Sequence, residues 1–153
     1  MDRTKLTIRW IAIAVILAAS AAAIARDQLA TLIALTPADM KFVADAVQPG
    51  LSTSILVGDP AKRGVYAVHS KLPPNFKLAP HSHAEPWRIA TVLSGTLYYS
   101  AGDTFDVSKL KALGPGSVLV EPRGAAHFAM TKGEAVLLHI VGEGPAGVTA
   151  IGK

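Results

Sequence analysis

The chain has no cysteine among its 153 residues. That absence excludes disulfides, thiolate metal ligands and a cysteine nucleophile together. Lysine and arginine form no run and are not interleaved with an aromatic platform, so the net charge of +4 does not point to nucleic acid. "VLSGT" lacks the G-x-S-x-G elbow, and no serine stands in order with a histidine and a carboxylate. No glycine-rich phosphate loop is present. Asp103 and Asp106, in "AGDTFDVSK", are turn residues; a calcium loop needs more oxygen ligands at closer spacing. Beyond residue 50 there is neither a useful helical period nor an internal repeat.

What is present begins with "MDRTKLTIRWIAIAVILAASAAAIA". Arg3, Lys5 and Arg9 precede an apolar run of about 16 residues, and small residues stand before Arg26, the pattern of a Sec signal peptide cut after Ala25. The run is marginal for a bilayer core of roughly 30 Å, so an uncleaved membrane anchor is the alternative. The expected location is the periplasm or the exterior. Residues 26–153 hold twelve Lys and Arg against ten Asp and Glu, a net charge of only +2. An exported chain without disulfides is held together by core packing or by oligomerisation.

Residues 26–49 read as an N-terminal arm. Within it, Pro37 suits the first position of a short helix over Ala38 to Val43, with Thr36 as its cap. From Gly50 the texture changes to short apolar runs, such as "STSILVGDP", "GVYAVHSKL", "RIATVLSGTLYYS" and "AVLLHIVG", punctuated by Gly, Pro, Asp and Asn. Each is rich in Val, Ile, Leu, Tyr or Thr, which predicts one all-β domain, an antiparallel sandwich or barrel. Ser94-Gly95 and "TKGEA" at 131–135 read as hairpin turns.

Chemistry concentrates in two stretches. In "LAPHSHAEPW", His81 and His83 stand two apart, so on a strand both imidazoles share one face, as a chelating pair requires. Later comes "GPGSVLVEPRGAAHFAMT", with Gly116, Pro122, Gly124 and His127.

These stretches resemble the two motifs of the cupin family. The first motif is H-x-H, three or four residues, Glu, six residues, Gly; His81, His83 and Gly95 fall in its register. The second is G-x5-P-x-G-x2-H-x3-N, matched by Gly116, Pro122, Gly124 and His127. The resemblance covers residues 50–145, leaving 146–153 as a C-terminal tail. It implies a double-stranded β-helix, or jelly-roll barrel, with a metal site in its mouth, and a homodimer. "GTLYYSAGDTFD" and "GEGPAG" look, more narrowly, like a group of small exported cupins.

Two positions depart from the motifs. Seven residues before Gly95, where the family has a glutamate ligand, stands Arg88; four after His127, where asparagine is usual, stands Thr131. Arginine stays protonated and offers no lone pair to a metal. Either His81, His83 and His127 keep the ion with water completing its shell, or Glu85 substitutes, since Pro86 biases it toward extended backbone in parity with the histidines. The competing reading is a barrel that has lost its metal. Three neutral imidazoles suit a divalent transition metal, Fe, Mn, Ni, Cu or Zn.

Three further residues are candidates for ligand binding. Arg88 matches the carboxylate of an anionic ligand, or forms a structural ion pair. Glu121 is a general base if it points inward, or a rim partner of Arg88 or Arg123. His139 alternates with Leu137 and Val141 and is either a pocket-lining group or a buried structural histidine. His69 is expected to be structural or exposed, and Trp87, Tyr98, Tyr99 and Phe128 to pack rather than stack on substrate. The expected function is an exported metal-binding protein, a dioxygenase, isomerase or lyase on a small, carboxylate-bearing organic molecule. A non-catalytic sensor or binder of a small ligand or metal is the alternative, and a purely structural barrel the third.

Overall fold

A computed structural model describes residues 32–152; the expected signal segment lies outside the described residues. The strands are β1 (Val43–Ala44), β2 (Ser52–Val57), β3 (Gly64–Leu72), β4 (Lys77–His83), β5 (Trp87–Ser94), β6 (Leu97–Ala101), β7 (Lys111–Leu113), β8 (Val118–Pro122), β9 (His127–Met130), β10 (Val136–Gly144) and β11 (Val148–Ala150). They form a six-stranded sheet in the order β1-β2-β3-β10-β5-β8 and a five-stranded one in the order β11-β4-β9-β6-β7. Every pairing is antiparallel. Among the described residues, no helix is long and apolar enough to cross a membrane.

From β3 onward the chain changes sheet at each step except β6 to β7. This is the jelly-roll barrel the resemblance implies. It also corrects the two expected hairpins. Ser94-Gly95 joins β5 to β6, which lie in different sheets, and residues 131–135 join β9 to β10 in the same fashion. Both are corners. Gly95, at φ +74°, gives the first corner a backbone conformation that side chains disfavour.

Alternation along the strands builds the core. In β10, Val136, Leu138 and Ile140 point inward while Leu137, His139 and Val141 take the outer face. In β8, Leu119 and Glu121 are buried between exposed Val118, Val120 and Pro122. The inner faces meet through Val68, Leu72, Val92, Leu97, Val136 and Leu138, the dominant favourable contribution to folding.

The arm is less helical than the sequence suggests. A single 3-10 turn spans Pro37–Asp39, with the Thr36 N–H and hydroxyl both donating to the Asp39 carboxylate (2.8 and 2.7 Å). By Val43 the chain is extended and pairs with β2: tertiary pairing overrides a weak local preference. At the other end, β11 pairs with β4, setting Val148 opposite His83 and Ala150 opposite His81. The sheets therefore extend past both limits of the 50–145 stretch.

Candidate metal centre

His81 and His83 stand two apart on β4 and His127 is the direct cross-strand partner of His81 on β9. Strand parity plus register thus brings three imidazoles to one inner face. Their ring centroids are 4.3 to 5.1 Å apart, and one nitrogen from each lies within 4.8 Å of the other two. All three residues are buried. Gly124, at φ +72°, donates its N–H to the His83 carbonyl (3.0 Å) and so ties the loop before His127 to the end of β4.

The tautomers are set by backbone. His81 Nδ1 donates to the Ala79 carbonyl (2.8 Å) and His127 Nδ1 to the Ala125 carbonyl (3.0 Å). His83 is hydrogen-bonded to the Gly147 backbone, and its Nε2 is buried with no protein partner. In the neutral rings the remaining nitrogen presents a lone pair, the form a metal ligand needs. Burial pushes the His83 pKa down to about 2, with the Arg88 charge and then the neighbouring histidines adding to it. Burial likewise lowers His81. A buried, unpartnered imidazole nitrogen among two others fits a divalent transition metal.

Carboxylates flank this trio differently from the sequence expectation. Glu85 is buried but engaged elsewhere: Tyr66 Oη donates to its Oε1 (2.9 Å) and the Gly147 N–H to its Oε2 (3.1 Å). The parity argument fails because β4 ends at His83 and Ala84 to Pro86 bend. Glu121 instead reaches the histidines. Its Oε1 is 3.3 Å from His127 Nε2 and its Oε2 3.8 Å from His83 Nε2. Glu121 is only 3% exposed, so it is no rim residue, although the anticipated ion pair exists: Arg88 Nε donates to Glu121 Oε2. Tyr99 stacks on His127 at 5.3 Å, and burial, then the Glu121 charge, raises its phenol pKa.

Beside the centre lies a cavity of about 170 Å³. His81, His83, Glu85 and Arg88 form its polar side, and Val68, Leu72, Leu138 and Ile140 an apolar wall. His139 is not among its walls. It sits on the outer face, register-paired with His69, the two rings edge-on at 5.2 Å. His69 Nδ1 in turn contacts Met40 Sδ at 3.1 Å. Thr131, where the motif has asparagine, clamps a turn: its hydroxyl donates to the Pro73 carbonyl (2.6 Å) and accepts from the Phe76 N–H (2.9 Å).

Comparison with known proteins agrees with this architecture. The family profile described as cupin matches residues 59–150. Germin-like protein 2-2 of Oryza sativa subsp. japonica is 34% identical over 109 residues, covering 69% of this chain and 45% of the relative. Germin-like protein 4-1 from the same plant is 34% identical over 92 residues, 56% of this chain and 32% of the relative. The chain thus spans less than half the length of these relatives. Among solved structures, the polyketide cyclase RemF from Streptomyces resistomycificus superposes with TM-score 0.66 at 20% identity, over 80% of this chain and 87% of that one. A sugar phosphate isomerase from Silicibacter pomeroyi gives 0.60 at 19%, over 79% and 83%. Likeness at that identity speaks for the fold alone.

Proposed function

The chain belongs to the cupin family, and from that premise we propose that it is an exported metal-dependent enzyme acting on a small, carboxylate-bearing organic substrate. The observation behind this is the convergence of His81, His83 and His127, buried and with their outer nitrogens tied to backbone. Those residues would hold a divalent transition metal, which when bound supplies Lewis acidity toward a carbonyl or activates water or dioxygen.

The chain's own residues do the rest. Arg88 borders the cavity, and with Nε committed to Glu121 its remaining donors are available to orient a substrate carboxylate. The apolar wall of Val68, Leu72, Leu138 and Ile140 limits water around the bound molecule. A cavity of about 170 Å³ is below the roughly 300 Å³ at which drug-sized sites begin, favouring a small occupant. Solved relatives of this fold named as a cyclase, an isomerase and lyases support catalysis, though fold does not choose among reactions. The basic, then apolar, N-terminus supports export.

A second reading, a non-catalytic sensor of a small ligand or metal, is favoured by one observation: a cation, Arg88, stands where the motif has its carboxylate. Turnover separates the two. Metal-loaded protein and His127→Ala are screened against small carboxylic acids and carbonyl compounds for product and for oxygen uptake. Conversion that disappears in His127→Ala supports the enzyme; ligand binding without conversion under every metal supports the sensor.

A further inference from the structure

Resting on the reading of His81, His83 and His127 as a metal centre, we propose that Glu121 is its fourth ligand, a carboxylate moved from β5 to the neighbouring strand β8. The motif position that lost its glutamate is Arg88, and Arg88 and Glu121 are direct partners in the β5/β8 register. Side chains so paired have Cβ atoms about 4.5–5.5 Å apart. That gap is within reach of a glutamate, so either strand can deliver a carboxylate to the same point. Alternation in β8 aims Glu121 inward, between outward Val120 and Pro122.

The distance from Glu121 Oε1 to His127 Nε2 fits a shared ion. Ligands bonded at 2.0–2.2 Å and separated by 90–110° lie roughly 3.0–3.5 Å apart. Glu121 Oε1, 3.3 Å from His127 Nε2, lies in that span, while Oε2, the oxygen Arg88 holds, is 3.8 Å from His83 Nε2 and lies outside it. With its Nδ1 bonded to the Ala125 carbonyl, His127 turns Nε2 toward Glu121 Oε1, so nitrogen and carboxylate oxygen converge on one point. Such an arrangement is favourable with a cation between the groups. The Arg88 guanidinium holds the other oxygen, its Nε donating to Oε2, and Tyr99 also hydrogen-bonds the carboxylate. Oε1 is the oxygen turned toward His127, and Arg88 becomes a positioning residue that holds the ligand's rotamer.

The test titrates Co(II) into the metal-free full chain, reading the visible d–d spectrum and the affinity by competition with a chromophoric chelator. Glu121→Gln, which keeps shape but removes charge, is expected to weaken affinity at least about tenfold and to change the spectrum. The exchange variant Arg88→Glu/Glu121→Arg, which returns the carboxylate to β5, is expected to recover most of that affinity. Should Glu121→Gln fail to fold by circular dichroism, Glu121→Asp takes its place, with an altered spectrum expected from its shorter reach. Wild-type affinity and spectrum in the folded Glu121 variants, with binding abolished in His127→Ala, would overturn the role of Glu121 and leave the histidine centre standing. No Co(II) binding by the wild-type protein would overturn both.

Discussion

Arg88 and Glu121 lie 33 residues apart in sequence yet face each other directly across β5 and β8, joined by an ion pair whose carboxylate is buried. Removing one partner of such a pair leaves the other charge uncompensated. Arg88→Gln is expected to destabilise the metal-free protein by on the order of 3 kcal/mol. Saturating divalent metal should shrink that loss, because a second cation then faces Glu121. Urea unfolding with and without metal measures both; an equal loss in the two conditions contradicts the coupling.

Acid should destabilise the metal-free protein through the centre itself. The folded-state pKa of His83 is about 2 against an ordinary 6.5. Below pH 6.5 the unfolded chain therefore takes up a proton that the folded site refuses. Stability is present above that value and declines as pH falls, by up to about 1.4 kcal/mol per pH unit for this one group. His81 is shifted the same way and adds to the trend. Unfolding midpoints measured between about pH 8 and pH 5 should fall with pH, and more gently in His83→Asn. A slope unchanged in that variant would contradict the assignment.

Glu85 separates structural from ligand carboxylates. Because its oxygens accept from Tyr66 and Gly147, Glu85→Gln should lower stability by about 1–3 kcal/mol while leaving metal stoichiometry unchanged. Thermal melts and metal analysis of the same preparation check both halves. Loss of the metal in a folded variant would return Glu85 to the ligand set.

The outer edge of the six-stranded sheet predicts a homodimer. β8 is an edge strand, and Val118 and Val120, 58% and 69% exposed, stand beside outward Ile89 and Leu93 of β5. An unprotected apolar edge is a site for pairing, and a second copy of β8 can meet the first about a two-fold axis. Light scattering should give twice the chain mass for the wild type and the chain mass for Val120→Lys. A monomeric wild type at micromolar concentration contradicts this.

How far the sequence could be read varies with the range of the interaction that decides each feature. Strand identity and the shared face of His81 and His83 follow from period-two alternation, which is local, while His127 joins them through its resemblance to the second cupin motif. His69, expected to be structural or exposed, is buried beside His139 and Met40. The parity expected of Glu85 does not hold, because parity lasts only while a strand continues and β4 stops two residues earlier. His139 does share a face with Leu137 and Val141, but that face is the outer one; the buried set is Val136, Leu138 and Ile140. Both faces of this strand are apolar, so the pattern does not say which is inside. The corners at Ser94-Gly95 and 131–135 carry turn residues like any hairpin, and only the pairing of β10 with β3 and β5 reveals that the chain changes sheet. Glu121 reaches the histidines through the β5/β8 register, a relation between distant segments that no local pattern encodes.

The central claim is that three histidines hold a metal, and elemental analysis tests it most directly. Protein purified without a histidine tag from cells supplied with Fe, Mn, Ni, Cu and Zn is analysed beside His127→Ala. The wild type is expected to carry close to one transition-metal ion per chain and the variant little. No metal in either, or the same content in both, would contradict it.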